Sequence, residues 1–77
     1  MLTINHIAKG VFCLIPGIGK DFSFMVFEHD YYRKTMKAIR YKIVPGSLEF
    51  DGVASFDLEK NGDEMAIPME NPIKVEL

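Results

Sequence analysis

Residues 11–30 read VFCLIPGIGKDFSFMVFEHD, two apolar runs separated by a compact turn. The first run, Val11 to Ile15, ends at Pro16-Gly17 after five residues, which suits a buried strand. In the second, strand alternation places Phe22, Phe24 and Val26 on one side and Ser23, Met25 and Phe27 on the other. Apolar groups on both sides imply a central position in a sheet. The two runs are expected to pair antiparallel across PGIGKD, because proline and glycine there set a tight connection.

The same turn contains Gly19-Lys20, the ending of a phosphate-binding loop. Such a loop needs glycine, four residues, glycine-lysine and then a hydroxyl residue that binds magnesium. Here the first of those positions is Leu14 and the last is Asp21, whose carboxylate would repel phosphate. A strand follows where the phosphate-binding helix belongs, so the stretch reads as a hairpin corner with Lys20 in solvent. The opening TINHIAKG has a few residues in common with the first helix of repressor-type helix-turn-helix domains, but Pro16, Gly17 and Gly19 stand where a recognition helix should follow. An edge strand or a single turn closing at Gly10 is the expectation there.

The remaining punctuation, Pro45-Gly46, Asp51-Gly52, Asn61-Gly62 and Glu70-Asn71-Pro72, leaves runs of five to eight residues between turns. That spacing favours a mainly β fold, an antiparallel meander or partly open barrel of five to six strands, with a small α+β fold as the alternative. SLEF before Asp51-Gly52 and the alternating tail IKVEL read as short strands. SFDLEKNGDEMAI reads as a hairpin with Asn61-Gly62 at the tip. That register gathers Phe56, Leu58, Met65 and Ile67 on one face and leaves Asp57, Glu59 and Glu64 in water. Residues 30–44 are ambiguous. Asp30 is a good helix N-cap and Tyr32, Met36, Ile39 and Ile43 draw a helical stripe, while Ile39, Tyr41 and Ile43 also alternate with Arg40 and Lys42 as in a strand. At most one short helix, near residues 30–40, is expected.

A chain of 77 residues is one small domain that buries only about 60% of its unfolded surface. With a single cysteine, Cys13, it has neither an internal disulfide nor a cysteine-rich zinc site, so self-association is the remaining route to extra stability. The lone thiol, the absence of early positive charge and the shortness of the VFCLI run point to the cytoplasm, with no membrane span. Residues 1–46 carry seven Lys or Arg against three acids, a balance of +4, whereas residues 47–77 carry two against eight, a balance of −6. A bipolar surface is expected from that split.

The chemistry-bearing residues are few. Tyr31, Arg33, Lys34, Lys37, Arg40, Tyr41 and Lys42 interleave aromatic and basic groups, as a surface for single-stranded nucleic acid or a partner would. Asp57, Glu59 and Glu64 would form an acidic partner surface on the expected hairpin. Cys13 and His29 make a poor nucleophile–base pair, because the antiparallel hairpin carries His29 past the start of the first strand. His6, Cys13, His29 and Asp30 lack the spacing of a zinc site. No catalytic residue, cofactor or metal is therefore expected. The chain reads as a small protein-interaction module acting through its surface, self-associating, of the kind found among short phage or mobile-element proteins. Nucleic-acid binding through residues 31–42 is the alternative, disfavoured by the net charge of −2.

Overall fold

Among the described residues five strands form in chain order: β1 Phe12–Ile15, β2 Gly19–Asp30, β3 Thr35–Val44, β4 Ser47–Asp57 and β5 Ile67–Pro68. A 3-10 turn over Ile4–His6 precedes them, and a single-turn helix, α1, spans Leu58–Asn61. The computed structural model describes residues 2–69, so the IKVEL strand expected at 73–77 lies outside the described residues. All five strands join one open antiparallel sheet in the order β4-β3-β2-β1-β5. This is the expected meander, with β2 at its centre.

The register follows the alternation of side chains. Cys13 lies opposite Phe24, Phe24 opposite Arg40, and Met36 opposite Phe56, so one face gathers Cys13, Ile15, Phe24, Val26, Met36, Ala38 and Phe56. These residues are almost wholly buried. The rings of Phe24 and Phe56 meet edge to face, 5.6 Å between centroids, although β3 runs between their strands. The fully buried Ala38 is small enough to leave room for that contact. The second layer over this face comes from the two ends of the described chain. Ile4 and Ile7 from the N-terminal segment, with Leu58 and Ala66 from around α1, complete the core. Backbone hydrogen bonds fasten these pieces together: Ile4 donates to Glu64, Asn5 to Gly62 and Ala66 to Leu2.

The connections carry the expected turn chemistry in most places. Ile15 pairs with Gly19 across the Pro16–Ile18 corner, where Ile18 donates to the Ile15 carbonyl at 2.9 Å. Val44 pairs with Ser47 around Pro45-Gly46, and Gly46 takes φ 76°, the positive value that a type II turn needs at its second central position. The N-terminal segment makes a single turn before Gly10, as expected.

Three expectations are corrected. Residues 30–44 contain no helix: a four-residue connection, Tyr31–Lys34, leads into strand β3. Asp30 does cap, its Oδ1 accepting from the Arg33 N–H at 3.1 Å, but Lys34 turns to φ 55° and the helix is never propagated. Once β2 and β4 offer hydrogen-bonding edges on either side, the Ile39, Tyr41, Ile43 alternation prevails over the helical stripe. The helix sits instead at Leu58–Asn61, in place of the expected hairpin. Asp57 is its N-cap, accepting from the Glu59 N–H at 2.9 Å. Gly62 adopts right-handed helical angles rather than the positive φ of a hairpin turn. Asp51-Gly52 is a bulge within β4, not a turn: the register shifts between Arg40 and Tyr41 on β3, and Gly52 takes φ 138°.

Gly62 is buried where a Cβ would collide with the Leu58 carbonyl oxygen and the Asn5 side chain. Gly62→Ala is therefore expected to destabilise the protein by about 1–3 kcal/mol, the cost of an overpacked contact, as read by chemical denaturation.

Candidate functional site

The second face of the sheet has no covering layer among the described residues. Register places Phe12 and Leu14 of β1, Ser23 and Met25 of β2, Ile39, Tyr41 and Ile43 of β3, and Leu48, Phe50 and Val53 of β4 on this side. Ile67, opposite Leu14 on β5, joins them. Phe27 is the extra residue of a second bulge, between Val26 and Glu28, and is 42% exposed. Phe50 and Val53 are the most open members, at 69% and 56%, and Ile67 stands at 42%.

A line of aromatic rings organises the face. Phe12 and Tyr41 lie 5.6 Å apart by centroid, and Tyr41 and Phe50 lie 6.4 Å apart in a near-perpendicular arrangement. Phe12 and Tyr41 sit on either side of β2, and the small Ser23 between their strands permits the approach. Ser23 is itself fully buried, its hydroxyl donating to the Met69 sulfur at 3.2 Å. Met69 is held there by its N–H, which donates to the Phe12 carbonyl. The result is an apolar tract extending across all five strands.

Toward the end of the sheet where β2 passes into β3 the same face turns polar. Glu28 lies opposite Lys37, with 3.7 Å between carboxylate and ammonium, and Asp30 and Asp57 both lie opposite Thr35. Arg33, Thr35, Lys37, Ser55, Phe56, Asp57 and Glu59 line an open cavity of about 470 Å³ there. Both charge signs are present, so this end carries no strong field of either sign.

The structure separates the seven residues of the basic and aromatic segment. Arg33 and Lys34 sit in the connection, Lys37 and Tyr41 project on the apolar face, and Arg40 and Lys42 project on the opposite one. Carboxylates meet the cations individually: Arg33 with Asp30 at 3.8 Å, Lys34 with Glu59 at 3.3 Å, Lys37 with Glu28, and Arg40 with Asp51 at 2.7 Å. Lys42 lies opposite Glu49 in the register. Arg40 also lies over the Phe22 ring, 5.4 Å from its centroid, which makes it part of the sheet's packing. Tyr31 stacks on His29 at 4.6 Å, whereas Tyr32 is 96% exposed. Two of these pairs, Lys34 with Glu59 and Arg40 with Asp51, join the basic first half of the chain to its acidic second half.

Of the three acidic candidates, Asp57 and Glu59 share the lining of the open cavity with Arg33 and Lys37, and Glu64 lies apart from them. Asp57 caps α1, Glu59 pairs with Lys34, and Glu64 lies half-buried against Gly17, whose added Cβ would meet its carboxylate. Their shared face belonged to the hairpin that α1 replaces. Cys13 is inside the core, and burial pushes its thiol up to about 11. Its register partner is Phe24, which leaves His29 five residues further along β2. Neither ring nitrogen of His29 has a hydrogen-bond partner among the described residues, although both are shielded from solvent. No cluster of metal-ligating side chains occurs among the described residues.

The open face was missed in the reading of the sequence, yet it has a signal there: Met25 and Phe27, then Ile39, Tyr41 and Ile43, are apolar at positions that an exposed face would give to polar residues. Comparison with protein-family models, with curated proteins and with solved structures gives no match to this chain.

Two measurements check this description. Cys13 should react with a thiol reagent only after unfolding at pH 8. Because its folded pKa lies above the ordinary 9.0, its contribution is fully present below pH 9 and falls as pH rises toward 11. That fall in denaturation free energy should be missing from Cys13→Ala, so the difference between wild type and the variant isolates it. His29→Phe keeps a ring for Tyr31 while removing the unpartnered nitrogens, and is expected to raise stability by about 1 kcal/mol.

Proposed function

We propose that this protein is a non-enzymatic interaction module whose working surface is the apolar face running from Ile67 on β5 to Phe50 and Val53 on β4. The observation that carries the reading is the uncovered area. Side chains of this size present roughly 150–200 Å² each, so Phe27, Phe50, Val53 and Ile67 leave on the order of 400 Å² in water. At about 25 cal/mol per Å² this corresponds to about 10 kcal/mol of unrealised burial, more than the roughly 3–5 kcal/mol of net stability expected for so small a core. Isolated exposed apolar residues are ordinary, but exposed apolar area of this size gathered on one sheet face of a small domain is of the kind that is often functional.

A protein surface fits this face better than a small molecule or nucleic acid. It is an open sheet surface, and the cavity of about 470 Å³ lies beyond its polar end, lined by none of the tract's exposed residues. The nearby cations already face carboxylates, which weakens any attraction for a phosphate backbone. A cytoplasmic setting belongs to the same reading, supported by Cys13, a lone thiol with no second cysteine in the chain. No helix among the described residues is long and apolar enough to cross a membrane.

A photo-crosslinking amino acid in place of Val53 should give protein adducts in cells, whereas one in place of Glu49, on the other side of the same strand, should give few. Equal yields at the two positions, or none at Val53, would overturn the reading. Binding of a labelled single-stranded oligonucleotide is expected to be absent at low salt. Binding that weakens with added salt and is lost on changing Arg33 and Lys37 to Glu would return nucleic acid as the partner.

A further inference from the structure

We infer that the occupant of this face is a second copy of the chain, packed sheet on sheet about a two-fold axis. The inference rests on the interaction reading above and adds the identity of the partner.

The first argument is architectural. A sheet normally buries both of its apolar faces in a layered domain, and among the described residues this one has a layer over only the face that holds Phe24 and Phe56. Two aligned sheets pack about 10 Å apart with interdigitating side chains, which suits a face set with Phe50, Val53, Ile39 and Tyr41. A two-fold interface asks only that one patch fit itself, and an apolar tract with no charged side chain satisfies that condition without needing a partner of opposite charge. The four most exposed members contribute on the order of 400 Å², about half of the roughly 800 Å² that each partner gives to a standard stable interface. The half-buried Leu14, Met25, Ile39, Tyr41 and Leu48 border the same surface.

The second argument is electrostatic. In a two-fold contact every charge also meets its own kind, so a face with one dominant sign would repel itself. Among the register-paired residues of the apolar tract none is charged, and the polar end beyond it mixes Lys37 and Arg33 with Glu28, Asp30 and Asp57. The chain's net charge is only −2, so two copies approach without a large long-range penalty.

The third argument removes the competing route, growth by strand addition at an edge. The β4 edge is interrupted by the Gly52 bulge and carries Glu49, Asp51 and Asp57, while β5 is two residues long and includes Pro68. Bulges, charges, proline and short edge strands are the devices that prevent edge pairing.

The test is sedimentation equilibrium of the full chain from micromolar to several hundred micromolar, beside wild-type, Phe50→Lys, Val53→Lys and Glu49→Lys proteins. The expected result is a mass twice 8.8 kDa for wild type and Glu49→Lys, and a shift to monomer for the two face variants with unchanged circular dichroism. Should a lysine variant lose its fold, the photo-crosslinker at Val53 in purified protein replaces it, with a chain-to-chain adduct as the supporting product. A wild-type monomer at all concentrations whose Val53 crosslinks in cells to a different protein would overturn the second copy while leaving the interaction reading intact. A monomer with no intermolecular adduct, or one whose Val53 crosslinks to residues 70–77 of its own chain, would overturn both. A dimer unaffected by Phe50→Lys and Val53→Lys would place self-association elsewhere and overturn the inference.

Discussion

A regular β-strand sends consecutive side chains to opposite sides, and away from its bulges this sheet is organised around that restriction. Because β2 is apolar on both sides, forming the Phe24 core commits Ser23, Met25 and Phe27 to the other face. The neighbouring strands then have to match. β3 answers with Met36 and Ala38 inward and Ile39, Tyr41 and Ile43 outward, and β4 does the same with Phe56 and Val53. An apolar second face follows directly from a central strand of this composition.

The two faces use one packing device. On each, two aromatic rings meet across an intervening strand because the residue between them is small: Ala38 between Phe24 and Phe56, Ser23 between Phe12 and Tyr41. The difference lies in what covers the rings. The N-terminal turn and α1 seal the first pair, while Met69 reaches only the Ser23 corner of the second. The proposed interaction surface lies on the second face for that reason, while Lys37 and Arg40 are held in cross-strand pairs with Glu28 and Asp51.

Much of the architecture was legible in the residues. The corner at Pro16–Ile18, the Pro45-Gly46 turn and the central place of β2 follow from turn chemistry and from strand alternation. What failed was local and has a common cause: one dipeptide serves several backbone geometries. Asn-Gly ends a helix as readily as it tips a hairpin, and Asp-Gly fits a bulge as well as a turn. Tyr31–Lys34 gave no turn signal because the positive φ falls on a lysine, a residue type that seldom adopts it. The candidate site was the less legible part. Which residues share a face depends on register across five strands, and the exposure of Phe50 and Val53 depends on what fails to cover them. Neither property is local in the chain.

Strand order also bears on how the chain reaches this state. From Gly19 to Asp57 each strand pairs with its sequence neighbour, so the β2-β3-β4 meander forms through short-range closures. The contacts of Leu14 with Ile67, and of Leu2 with Ala66, instead join opposite ends of the described chain. Closing so long a loop has an entropic cost that only the finished core offsets, which places the seating of α1 and β5 late in folding. Opening that closure would leave the β2-β3-β4 pairing intact while taking the wall off Cys13, Phe24 and Phe56, so that both apolar faces of the meander would be open to a second chain.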